Sequence, residues 1–75
     1  MNQTIKTVIY FDGKYFCARC IEVDVFTQGK TLDETLKNLK EAVSLHLENL
    51  PLKEFNLAPH PSLLVMIEEP LSHAA

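Results

Sequence analysis

What the chain lacks narrows the field first. No apolar run approaches the roughly 20 residues of a membrane span, so no membrane insertion is expected. The first eight residues, MNQTIKTV, carry neither the charged nor the apolar region of a secretory signal, and a cytoplasmic location is the default expectation. Positive charge is scarce: seven Lys and Arg stand against ten Asp and Glu, a net charge of −3, and Arg19 is the only arginine. Unaided nucleic-acid binding needs clustered Lys and Arg to displace counterions, so direct DNA binding is not expected. There is no internal repeat and no low-complexity tract.

Cysteine is limited to Cys17 and Cys20, at C-x-x-C spacing. A redox pair sits where a turn meets a helix, whose N-terminus stabilises the thiolate. Here the pair lies inside YFCARCI, which reads as a strand. Residues three apart in a strand face opposite ways, so the two sulfurs should diverge. The spacing is therefore read as packing, not as redox or metal chemistry.

What is present is one domain over residues 1–75, with 47% apolar and 23% charged residues. A domain this small buries only about 60–65% of its unfolded surface, so help from association is expected. The organising stretch is residues 27–50, TQGKTLDETLKNLKEAVSLHLENL. Thr31 with Glu34 makes the capping-box pattern, and Asp33 and Glu34 suit the positive end of the helix dipole. Leu32, Leu36, Leu39, Val43, Leu47 and Leu50 recur at spacings of three or four and give one apolar stripe. Asn49-Leu50-Pro51 ends it, because the residue before proline is driven out of the α region. A helix over residues 32–49 is predicted.

Residues 4–11, TIKTVIYF, are rich in β-branched and aromatic side chains and read as a first strand. The Asp12-Gly13 pair that follows signals a hairpin. A second strand is predicted over residues 14–21, with Phe16, Ala18 and Cys20 on one face and Tyr15, Cys17 and Arg19 on the other. Glu22 and Asp24 suggest a loose turn, a short third strand covers residues 25–28, and Gly29 permits the turn into the helix. After Pro51, the segment around Pro59, His60 and Pro61 is expected to be an extended connection. Residues 62–68, SLLVMIE, form a fourth strand whose unbroken apolar run predicts cover on both faces. Residues 71–75 are expected to be a frayed tail.

Connection rules assemble these as an α+β fold, a β-β-β-α-β two-layer sandwich with sheet order 3-2-1-4. The crossover is right-handed and the fourth strand runs parallel to the first. One helix covers only one face of such a sheet, and the face of Phe16, Ala18 and Cys20 is the better candidate to lie beneath it. The opposite face would carry Tyr15, Cys17 and Arg19, joined by Tyr10 or Phe26. These five are the candidate interface. At least a dimer is expected, through the open face or the edge of the fourth strand.

The run from Gly13 to Glu41, with the strand before it, resembles the HicB-like antitoxin family. The features that carry the resemblance are the aromatic hairpin with Gly13 in its turn, the turn pattern of Thr27, Gly29 and Thr31 with Asp33 and Glu34, and the N-x-x-E-A of Asn38, Glu41 and Ala42. It covers roughly the first two-thirds of the chain and is specific in combination. The resemblance implies a partial ribonuclease-H-like domain. It also implies a partner, since members neutralise HicA, a small toxin that cleaves messenger RNA. Full-length members carry a DNA-binding module after the fourth strand. Residues 69–75 are too few for one, so the chain looks like the short, stand-alone type. The expected function is an antitoxin-type protein-interaction domain, or else a stand-alone oligomeric module of the same fold.

Catalysis is not expected, and neither a cofactor nor a metal is implied. A two-metal site needs several converging acids. Asp12, Glu22 and Asp24 are the acids that the strand connections bring to the sheet, and each fits a turn or a solvated connection. His46, His60 and His73 have no ligand spacing, and Ser44 has no recognisable base. Arg19 is expected to lie along Tyr15 with its head in water, or else to pair with an acid across an interface.

Overall fold

A computed structural model describes residues 2–49 and 57–71. The described elements are β1 (Asn2–Phe11), β2 (Phe16–Cys20), β3 (Phe26–Gly29), α1 (Leu32–Glu48) and β4 (Leu57–Glu68). They form one four-stranded mixed sheet in the order β3-β2-β1-β4, with β1 antiparallel to β2 and parallel to β4. With one helix on one face, the arrangement is α+β and compatible with a two-layer sandwich. The expected element and strand orders are both observed.

Local chemistry explains where the elements differ from expectation. β2 begins at Phe16 because the Asp12 carboxylate captures the backbone N–H groups of Lys14 and Tyr15, both at 2.8 Å. With the Asp12 N–H donating to the Tyr15 carbonyl and Gly13 at φ 104°, residues 12–15 form a four-residue loop. Only glycine adopts that backbone without strain. At the far end of the ladder, Glu22 accepts from the Lys6 backbone N–H and side chain, which closes the β1–β2 pair.

Thr31 caps α1, its hydroxyl accepting from the Glu34 N–H at 3.0 Å. The Glu34 carboxylate reaches one residue further back than the capping-box pattern predicts and accepts from the Lys30 N–H at 2.8 Å. The helix ends at Glu48 with Asn49 as C-cap. The predicted part played by Leu50 and Pro51 lies outside the described residues. The buried centre of the stripe is Thr35, Leu39 and Val43, flanked by Leu32, Leu36, Ala42 and Leu47.

The core sits between α1 and the face of Ile5, Ile9, Ala18 and Cys20, with Phe16 packed against it. Val23 and Val25, in the β2–β3 connection, are buried in the same cluster. Thr7 and Thr35 are also fully buried. Their hydroxyls have partners: Thr7 Oγ1 lies 3.3 Å from Cys20 Sγ, and Thr35 Oγ1 donates to the carbonyl of Thr31 or Phe16.

Gly29 was expected to ease a turn. Its backbone is not in the positive-φ region, and its role is close approach. A Cβ there would lie 2.7 Å from Thr35 Oγ1 and 2.8 Å from Thr35 N, so only glycine lets β3 end against the helix.

β4 departs most from the prediction. It starts at Leu57, so the His60-Pro61 segment expected as a connection belongs to the strand, entered through a register shift between Asn2 and Thr4. Nor is it covered on both faces. Leu64, Met66 and Ile67 are 48%, 38% and 46% exposed. The physical reason is placement: Leu64 and Met66 lie on the face away from the helix, and on the helix side the helix backbone approaches β3 and β2 rather than β4, which leaves Ile67 open.

Candidate interaction surface

Strand alternation and the observed register define the open face. Tyr10 stands opposite Cys17, Val8 opposite Arg19, and Arg19 opposite Phe26. On the other side, Lys6 pairs with Leu64, Val8 with Met66 and Tyr10 with Glu68. Four of the five expected interface residues therefore share this face: Tyr10, Cys17, Arg19 and Phe26. Tyr15 does not join them on a strand. It lies in the hairpin loop, and its ring carries the Lys14 ammonium at 5.3 Å rather than Arg19.

The four contribute unequally. Phe26 is 54% exposed and Arg19 is exposed, whereas Tyr10 is half-buried and Cys17 is only 3% exposed. Cys17 thus supports the surface from below and offers little area of its own. Arg19 makes no ion pair among the described residues and lines a shallow depression of about 320 Å³ with Val8, Tyr10 and Glu68. Val8, Leu64 and Met66 were not among the candidates, and they make the surface broader and more apolar than expected. Their signal was parity along the strands, which becomes usable once β4 is known to lie beside β1 in register.

The two thiols diverge, as the strand pattern predicts. Both are free. Cys17 Sγ donates to Asp12 Oδ2 at 3.6 Å, while Cys20 Sγ meets Thr7 in the core. Burial, reinforced by the Asp12 charge, pushes the Cys17 thiol up, and burial does the same to Cys20. Neither environment favours a thiolate.

Two of the three acids considered for catalysis, Asp12 and Glu22, hold backbone instead. Asp12 is kept below its usual range by the N–H groups of Tyr15 and Lys14, and Glu22 by the side chain and N–H of Lys6. Asp24 is exposed in the β2–β3 connection. No group of three His, Cys, Asp or Glu that could hold a metal ion occurs among the described residues. His73 lies outside them.

Four of the residues that carry the family resemblance, Gly29, Thr31, Glu34 and Asn38, serve the junction of β3 and α1. Gly29 meets Thr35, Thr31 caps the helix, Glu34 binds Lys30, and Asn38 Nδ2 donates to the Gln28 carbonyl at 2.9 Å. That motif therefore has a structural purpose visible in its own bonds. A second concavity, about 490 Å³, lies where β1 and β4 end, over Ile9, Phe11, Phe16 and Ile67. Its rim mixes Lys14 and Lys30 with Glu68 and Glu69, so it presents no field of one sign. Comparison of the chain with protein-family models, curated proteins and solved structures found no match.

Proposed function

We propose that this chain is a protein-docking domain of the HicB-like antitoxin type, whose open sheet face receives a HicA-like, RNA-cleaving toxin. The observation that carries this is the uncovered face itself, where Phe26, Arg19, Val8 and Met66 stand in one row across the sheet, with Tyr10 and Leu64 in the rows to either side. Such a mixture of aromatic, methionine and arginine side chains is the composition that interface centres favour. The motif residues and the β-β-β-α-β order support the family assignment and its partial ribonuclease-H-like fold. The net charge of −3 suits a basic, RNA-binding partner.

Co-expression with a HicA-like reading frame beside its gene is the test. Growth arrested by the toxin should be rescued and the two chains should co-purify. Phe26→Glu and Met66→Glu should each weaken the complex at least tenfold while leaving the helical circular-dichroism signal intact. Failure of both rescue and co-purification rules the proposal out. The other expectation, a stand-alone oligomeric module, is favoured by one separate observation, the state of the β4 edge.

A further inference from the structure

We propose that β4 is a self-association edge, with two copies pairing their fourth strands antiparallel about a two-fold axis normal to the sheet. This concerns the backbone edge beside the docking face, with which it shares Leu64 and Met66, and it does not depend on the toxin. One side of β4 pairs with β1, and its other side closes the sheet order as an edge. That edge is free of charge from Ser62 to Ile67 and contains Leu63, Leu64, Val65 and Met66. Natural edges are blunted by lysines, inward charges, bulges or a covering helix. Among the described residues this stretch has none of these: its ladder with β1 is regular from Thr4 onward, and although Leu63 and Val65 pack into the core, the backbone of α1 stays over β2 and β3 and covers no part of the β4 edge.

A second copy fits this edge for three reasons. First, edge pairing about a two-fold is isologous, so any strand that exposes its own unpaired edge is offered a matching one. Second, the charges are sorted by direction. Glu68 and Glu69 follow the uncharged stretch, with only Ser62 and His60 at its other end. Parallel pairing would stack the acids on one another. Antiparallel pairing separates the two acidic ends by about 20 Å, six residues at roughly 3.3 Å each, and sets Glu68 opposite a serine hydroxyl. Third, Pro61 and Pro70 bound the stretch on both sides, and proline cannot donate to a ladder. The longest proline-free pairing within the strand runs from Ser62 to Glu68 and centres on Val65.

Symmetry then fixes the side chains. Residues opposite one another in an antiparallel pair share a face, so both helices stand on the same side of a continuous eight-stranded sheet. Leu64 of one copy meets Met66 of the other, gathering four half-exposed side chains over the seam on the open face. The two docking faces become one. A seam of seven residues buries less than the roughly 1,200–2,000 Å² of a standard interface, so the dimer should dissociate on dilution.

Sedimentation velocity from 1 to 500 µM is the first test. The weight-average mass should rise from that of one chain towards that of two. Leu64→Lys and Met66→Lys should each weaken association at least tenfold, with folding checked by circular dichroism and urea unfolding. Mild oxidation of Val65→Cys should trap a disulfide dimer, because cross-strand partners lie within bridging distance. Phe26→Cys, on the opposite edge, should not, and the native thiols are buried. A single-chain mass throughout the range overturns the proposal. So does a Val65→Cys chain that cross-links no faster than Phe26→Cys.

Discussion

The two edges of this sheet are built by opposite rules. β3 is four residues long and is latched to α1 through its last two residues and the one that follows. Gln28 accepts from Asn38, Gly29 touches Thr35, and the Lys30 N–H that follows is taken by Glu34. β4 is twelve residues long and uncharged over its central part; Leu63 and Val65 pack into the core, while Leu64, Met66 and Ile67 are about half-exposed. The difference teaches how a 75-residue chain with one helix divides its cover. The helix protects one edge and the strands beside it. The apolar surface left over is concentrated at the other edge, where only a further polypeptide can remove it from water.

The largest expected effect contrasts the two halves directly. Leu39 is fully buried beneath the helix, so Leu39→Ala should lower urea-unfolding stability by about 2–5 kcal/mol. Leu64→Ala, 48% exposed, should cost well under half of that in the dilute monomer. It should show its main effect on association. Equal losses from the two substitutions would mean that β4 is as enclosed as the helix-covered core, contrary to the contrast drawn here.

The second effect probes the latch. Gly29→Ala places a methyl group against both the hydroxyl and the backbone N of Thr35. Overpacking of that kind costs typically about 1–3 kcal/mol. Adding Thr35→Ala removes the clash with Oγ1 and leaves the clash with the backbone, so it should restore only part of the loss. Thermal melts of the single and double variants decide this. Full rescue would show that the side chain alone demands glycine.

Much of the fold was legible because its signals are local. The helix stripe, the Thr31 cap, the Asp12-Gly13 hairpin and the alternation of Phe16, Ala18 and Cys20 all act within a few residues, and the structure uses each of them. One local bond was not legible: Asp12 shortens β2 by taking the amides two and three residues on. The rest depended on separation along the chain, beginning with Gly29, which answers to a helix residue six positions on. The extension of β4 back to Leu57 reflects pairing with Asn2 at the other end of the chain. The unbroken run LLVMI was expected to be covered on both faces, yet a single helix was expected to cover only one. Those two expectations conflict within one isolated chain, and the structure resolves the conflict against cover. The candidate surface was legible in part for the same reason: Tyr10, Arg19 and Phe26 follow from strand parity, whereas Val8 and Met66 become neighbours only through the β1–β4 register.

The smallest expected effect lies between the two edges, in the β1–β2 pair that joins them. Asp12 and Glu22 both have carboxyls held below their usual range by hydrogen bonds from backbone, and in Glu22 also from the Lys6 side chain. A carboxyl depressed by folding binds a proton more readily in the unfolded chain, so it adds stability above its unfolded pKa and loses that contribution as pH falls through the folded one. The urea midpoint should therefore hold steady near neutral pH and decline below about pH 4–5, around the unfolded pKa values of Asp and Glu. Asp12→Asn keeps an oxygen that accepts from Lys14 and Tyr15 but cannot titrate, so it should flatten the decline more than it lowers stability at pH 7. Glu22→Gln should flatten it less, since the Lys6 ion pair is exposed to solvent and such pairs contribute little. If the midpoint declines as steeply in the Asp12→Asn, Glu22→Gln double variant as in the parent, acid sensitivity must come from the remaining carboxylates, and the hairpin cannot be the joint that gives way first.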